Sequence, residues 1–248
     1  AKSVLTVLAE GFEEIEAITP VDVLRRLDVD VTVASLDGLV VKGARGISVQ
    51  ADTTLAEVAG RTFDLIVLPG GMPGAANLAA SSLLGDMLKK QRAEGRMIAA
   101  ICAAPAVVLY PLGLLGDEKT SGYPAFQRRL DEANRTEERL RVGEKLITAA
   151  GPGVAMEFAL ALAEILKGKE KADELAKLRY EASIRPGFQE AFSAMFPAPR
   201  QRWLDALATP EEELQKLPNE TLIIHGREDL VVPLESSLRL HQLILKSQ

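Results

Sequence analysis

MIAAICAAP, residues 97–105, is the stretch that decides the fold. Its first five residues are apolar without a polar interruption, the pattern of a strand buried on both faces of a sheet. The run ends at Cys102, and Ala103-Ala104-Pro105 reads as a helix that starts at once, with proline in its first turn. The same reading extends outward in both directions. Residues 4–8 (VLTVL), 29–34 (VDVTVA), 63–68 (FDLIVL, stopped by Pro69-Gly70-Gly71) and 146–149 read as further strands. Between them, residues 20–27 read as a helix with Thr19 as N-cap and Pro20 at its first position. Residues 83–93 and 155–166 carry apolar side chains at helical spacing. Strands alternating with helices predict an α/β fold, a doubly wound parallel sheet with right-handed crossovers. In such sheets ligands bind beyond the C-terminal ends of the strands. Gly70-Gly71 and Cys102 both fall there.

Composition narrows the chemistry. The 248 residues are 47% apolar but only 4% aromatic, so the core is built from Ala, Leu, Val and Ile. The net charge is -6 and no long basic run occurs, which argues against nucleic acid and anionic membrane as partners. No apolar stretch approaches the ~20 residues of a membrane span. The opening Ala1-Lys2-Ser3 does not read as a signal peptide, and one unpaired cysteine fits a cytoplasmic protein. The only histidines are His225 and His241, so residues 1–224 cannot complete a Ser-His-Asp or Cys-His site. Zinc there would need carboxylates and one cysteine alone, and neither metal nor cofactor is expected.

Cys102 is therefore the leading candidate nucleophile. At a strand-to-helix turn flanked by alanines, its thiol is expected to leave the sheet edge. Free N–H groups of the new helix would draw it towards thiolate. Those N–H groups, with the ones of Gly70-Gly71, would hold an oxyanion if sulfur attacks a carbonyl. The alternative is a small, inert core residue. A second signal is EGFEEIEAI, residues 10–18. Most of its carboxylates, Glu13 among them, are expected on a solvated face. Glu16, between Ile15 and Ala17-Ile18, is expected to turn inward and stay protonated.

These residues resemble the ThiJ/PfpI superfamily, in the branch of the Parkinson-disease-linked deglycase and YajL. The resemblance rests on AEGFEEIEAITPVDVLRR (9–26), LIVLPGGMPGAANL (65–78), AAICAAP (99–105) and AAGPGVAMEFALALAEILKGKE (149–170), in that order. It covers residues 1–178 and implies a flavodoxin-like fold and a homodimer. It implies Cys102 as oxidisable nucleophile, Glu16 as protonated acid, and Gly71 and Ala103 as oxyanion-side backbone. Arg45 and, from the partner subunit, Arg26 match arginines near the anion site. Where some relatives have a histidine near the thiol, this chain has Tyr123. Where the protease branch has histidine after the nucleophile, it has Ala103, which argues against peptidase activity.

Residues 179–248 resemble a different family, the α/β-hydrolases that cleave meta-ring-fission products of aromatics. RYEASIRPGFQEAFSAMFPAPRQRWLDALA (179–208) matches part of a lid, and ETLIIHGREDLVVPLESSLRL (220–240) matches the strand and loop of the triad acid, here Asp229. No G-x-S-x-G elbow occurs in the chain, and His241 is not in the family's catalytic context, so Asp229 is not expected to be catalytic. Trp203 and the phenylalanines of this part read as packing residues, and His225 as a satisfied polar group. The chain reads as a fusion, natural or engineered, of one complete domain and a hydrolase-derived appendage. Three functions are compatible: an enzyme acting on a small carbonyl of the glyoxalase or deglycase type, a redox-responsive stress protein or chaperone, and a cysteine-nucleophile esterase with the tail as lid.

Overall fold

The computed structural model describes residues 2–184, 215–216, 239–242 and 244. The chain divides into two compact units, Ala1–Glu181 and Ala182–Gln248. The expected strand at 221–224, Trp203, His225 and Asp229 lie outside the described residues.

The elements run, in chain order, β1 (Ser3–Leu8), α1 (Glu14–Arg26), β2 (Asp30–Ser35), β3 (Val40–Lys42), β4 (Ser48–Gln50), β5 (Thr53–Thr54), α2 (Leu55–Val58) and β6 (Leu65–Leu68). They continue with α3 (Gly74–Ala80), α4 (Ser82–Ala93), β7 (Met97–Ile101), α5 (Pro124–Gln127), β8 (Leu140–Val142), β9 (Leu146–Ala149), α6 (Ala155–Lys167) and α7 (Lys169–Ile184). Seven strands form one sheet in the order β5-β2-β1-β6-β7-β9-β8, parallel except for β8, and β3-β4 is a separate antiparallel hairpin. This is the expected α/β class, a mostly parallel sheet of the flavodoxin-like kind. The chain order turns back between β1 and β6, the type of crevice where such sheets bind ligands.

Both faces of the sheet are covered. Leu65, Val67, Ala99 and Ile101 point into one buried cluster with α1 and α6 residues, while Ile66, Leu68, Ile98 and Ala100 point into the other with α3 and α4. Side chains that alternate between two apolar layers require strands without a polar face, which is why residues 65–68 and 97–101 are unbroken apolar runs. No helix among the described residues is long and apolar enough to cross a membrane.

Two local expectations need correction. α1 begins at Glu14 with Glu13 in the capping position, not at Pro20 with Thr19 as cap, and Pro20 lies inside it. The chain after Cys102 does not enter a regular helix but a π-helical turn, Pro105–Leu109.

Candidate active site

Cys102 follows the last residue of β7 and has a φ of 64°. That left-handed conformation costs a residue with a Cβ about 1–2 kcal/mol. Two backbone bonds hold it. The Cys102 N–H donates to the Ala149 carbonyl at 2.9 Å, which extends the β7–β9 ladder by one residue. Its own carbonyl accepts the Tyr123 N–H at 2.8 Å. The thiol is half-buried. The backbone N–H groups of Gly71 and Ala103 lie close enough to the sulfur to lower its proton affinity.

Glu16 comes from the first turn of α1 and is fully buried, with 0% exposure. Its Oε2 accepts the Gly70 N–H at 2.8 Å. Its Oε1 finds no N–H or O–H donor among the described residues. The carboxyl is also close enough to the Cys102 thiol for each to shift the other's proton affinity. Burial pushes the Glu16 pKa up to about 7, with a smaller push from the charge of Glu13, against the opposing hydrogen bonds from Cys102 and Gly70. Burial likewise pushes the Cys102 thiol up to about 12, reinforced by the charge and hydrogen bond of Glu16 and opposed by the Gly71 and Ala103 N–H groups. The expectation of a thiol drawn down by a helix N-terminus is thus reversed. The helix behind it is a five-residue π turn, and the nearest ionisable group is a carboxyl.

The two groups titrate together. Below pH ~7 the acid and the thiol both keep their protons. Above it the pair holds one proton. Between about 7 and 12 that proton is on the thiol and the charge on Glu16, where the Gly70 N–H stabilises it. The Gly71 and Ala103 N–H groups favour the opposite form, and burial of the sulfur outweighs them.

Glycines make this approach possible. A Cβ on Gly70 would lie 2.7 Å from Cys102 Cβ, 2.8 Å from Glu16 Oε2 and 3.0 Å from Ala103 N. Gly71, at φ +86°, is pressed against Glu13, Gly11 and Phe12 of the loop after β1, where any side chain would collide with backbone. Gly151 closes a third side: a Cβ there would be 3.9 Å from both Cys102 Sγ and Glu16 Oε1, and 3.4 Å from the Tyr123 ring. Tyr123, 45% exposed, stands at the rim of a hollow of about 310 Å³ that Pro124, Arg139, Gly151 and Pro152 also line. Neither this hollow nor a larger cleft of about 600 Å³, beside Glu10, Asp37 and Ser81, is lined by Cys102 or Glu16.

The predicted arginines are not gathered in the same way. Arg26 sits at the exposed end of α1, bonded to Asp22 at 2.9 Å. The exposed Arg45 offers its backbone N–H, not its side chain, to Glu14 Oε1 at 2.8 Å. Among the described residues no hydrogen bond or ion pair joins either guanidinium to Cys102 or Glu16. Glu14 is itself a correction. It was expected on a solvated face but is buried, and it also accepts the Ile47 N–H at 3.3 Å, fastening the β3–β4 hairpin to α1. Sequence reasoning also missed Gly151, although Gly151-Pro152-Gly153 follows the end of β9 much as Pro69-Gly70-Gly71 follows β6. Among the described residues no group of three His, Cys, Asp or Glu side chains is placed to hold a metal ion.

A family model described as the DJ-1/PfpI family matches residues 2–165. The Arabidopsis thaliana "Protein DJ-1 homolog A" is 44% identical over 195 residues, 77% of this chain, and the match spans about half, 49%, of that relative's length. The Caenorhabditis elegans "Glutathione-independent glyoxalase DJR-1.2" is 38% identical over 178 residues, 71% of this chain and 95% of the relative. Among solved structures, "Toxoplasma gondii DJ-1, oxidized" aligns with a TM-score of 0.71 at 45% identity, covering 73% of this chain and 98% of that one. Separately, a 77-residue segment is 66% identical to a Pseudomonas putida 2-hydroxy-6-oxo-2,4-heptadienoate hydrolase, of which it covers 28%. That second match is consistent with a fusion.

Proposed function

Because the chain belongs to the DJ-1/PfpI family, we propose that it is a cysteine-dependent enzyme converting short 1,2-dicarbonyls, such as methylglyoxal, to 2-hydroxy acids. The observation that carries this reading is the fully buried Glu16 carboxyl, which shares its surroundings with the Cys102 thiol and interacts with it. In the reaction, the Sγ proton passes to Glu16 as sulfur bonds to the aldehyde carbon. The new alkoxide rests on the Gly71 and Ala103 N–H groups and takes a proton to give a hemithioacetal. Glu16 then moves the proton of the former aldehyde carbon to the neighbouring ketone carbon, while the hydroxyl proton of the hemithioacetal passes to the ketone oxygen, leaving the thioester of a 2-hydroxy acid. The aldehyde carbon is oxidised and the ketone carbon reduced, so no outside oxidant is needed. Water cleaves the C–S bond, and the thiol regains its proton as the acid leaves. The name of the Caenorhabditis relative supports this assignment. The test is lactate formation from methylglyoxal: wild type produces it, while Cys102→Ser loses at least a thousandfold. Wild-type turnover by that variant would sink the proposal.

A second reading is favoured by the same N–H groups. Two equivalents of peroxide would take the Cys102 thiol to a sulfinate, whose oxygens suit Gly71, Ala103 and a protonated Glu16. In that case the chain is an oxidation-responsive protein; one similar structure is of an oxidised form. We read the assembly as a homodimer, because α1 and the hairpin it is fastened to expose Ile15, Ile18, Val40 and Ile47. Sedimentation at a mass of twice the chain is the expected result. We read residues 179–248 as a hydrolase-derived appendage without a catalytic role, and the single cysteine as suited to the reducing cytoplasm.

A further inference from the structure

We infer that Arg139 decides substrate preference at this site, and that the preferred 1,2-dicarbonyl carries a carboxylate at its far end. The inference rests on the dicarbonyl reading above and names the substrate class. The hollow next to Gly151, which neither Cys102 nor Glu16 lines, has three kinds of wall. Gly151 links it to the thiol, since it lines the hollow and the space its missing Cβ leaves is 3.9 Å from Sγ. Tyr123 and Pro124 form one side and carry no charge. Arg139 supplies the positive charge.

Arg139 is held in place at both ends. Its carbonyl accepts the Ala150 N–H at 2.8 Å, which ties its backbone to the residue before Gly151. Its Nη2 donates to Glu157 Oε1 at 3.0 Å and reaches the Gly153 carbonyl at 3.5 Å. Its Nε and Nη1 make no hydrogen bond among the described residues, so one edge of the guanidinium remains for a ligand. An exposed ion pair such as Arg139–Glu157 is weak enough for a substrate carboxylate to share the guanidinium. A guanidinium edge pairs with a carboxylate through two parallel N–H bonds, which gives orientation as well as attraction. Of the three glycines around the sulfur, only Gly151 also lines the hollow, so a dicarbonyl whose aldehyde meets Sγ reaches Arg139 by extending its other end across Gly151. Methylglyoxal has only a methyl group there. A dicarbonyl with a carboxylate two carbons beyond the ketone, 4,5-dioxopentanoate, would place its charge against Arg139, and the same bond changes would convert it to 2-hydroxyglutarate.

The test uses the full chain and two ratios. The first is the rate of Cys102 alkylation by iodoacetate relative to iodoacetamide, reagents of similar size that differ by one charge. The second is kcat/KM for 4,5-dioxopentanoate relative to methylglyoxal. Arg139→Gln should lower both ratios at least fivefold, Arg139→Lys should restore part of each, and Glu157→Gln, which removes a competing carboxylate, should raise both. Ratios that Arg139→Gln does not move, or that Arg45→Gln moves instead, overturn the inference. If neither dicarbonyl is consumed while the alkylation ratio falls with Arg139→Gln, the reaction assigned above is wrong and carboxylate recognition by Arg139 stands.

Discussion

At the level of single residues, the site is a buried acid and a thiol competing for protons. The reacting form is the one that has lost a single proton, so kcat/KM for methylglyoxal should climb about tenfold per pH unit below 7 and level off above it. Glu16→Gln should lower kcat by about 10²–10³ and remove that inflection, because an amide cannot pass the proton on. An unchanged profile in the variant would take Glu16 out of the chemistry. The same residue should cost stability. Its pKa is raised from 4.5 to about 7 in the folded protein, so the native state binds the proton more tightly. The resulting stabilisation is present below pH 4.5 and is lost as pH rises through 7, amounting to roughly 3 kcal/mol. Glu16→Gln should flatten this dependence and be about 2–3 kcal/mol more stable than wild type at pH 8. Urea midpoints at pH 4 and pH 8 check it, and equal slopes for the two proteins would refute it. Glu16 was legible in the sequence because a charged residue amid Ile15, Ala17 and Ile18 breaks the pattern of a solvated face. The direction of the thiol shift was not legible, because it depends on how much water and how much of Glu16 the sulfur meets.

Among the elements, α1 and the strand-end loops position the pair. The sequence places the start of α1 at its proline, since Pro in a helix interior costs about 3 kcal/mol. The chain accepts that cost, and its buried residues Glu16, Ala17, Val21 and Leu24 explain why the helix starts earlier. Packing against the sheet outweighs local propensity. The loops after β6 and β9 make different demands on their glycines. Gly70→Ala would force a methyl within 3.0 Å of three neighbours, including Cys102 Cβ and Ala103 backbone. It should cost about 1–3 kcal/mol and abolish turnover of any substrate. Gly151→Ala meets nothing closer than 3.4 Å. It should fold normally, keep methylglyoxal turnover within a few-fold, and raise KM for longer dicarbonyls, since it fills the space that links the hollow to the thiol. Thermal melts and kinetics on both variants separate these outcomes; equal damage from the two would contradict the geometry.

For the molecule as a whole, every group in the proposed reaction lies between Glu16 and Gly151, inside the unit Ala1–Glu181. A chain ending at Glu181 should therefore keep its methylglyoxal activity within about twofold, and Asp229→Asn should not change it. Loss of activity in either would mean that the appendage takes part. The sequence by itself determined the parallel α/β class, because strands buried on both faces must be apolar throughout and their spacing leaves room only for helical crossovers. It also singled out Cys102, the one thiol, at a strand end, and it separated two families by their motifs. It did not reveal β3–β4, β5 or β8, which are two or three residues long and show no period of their own. Only the tertiary structure decided that Gly70, Gly71 and Gly151, from loops up to 81 positions apart in sequence, converge on one sulfur. It also decided that Glu14 is buried and that Arg139 borders the hollow. Those outcomes depend on which strand ends become neighbours in the sheet, and no local pattern of residues carries that information.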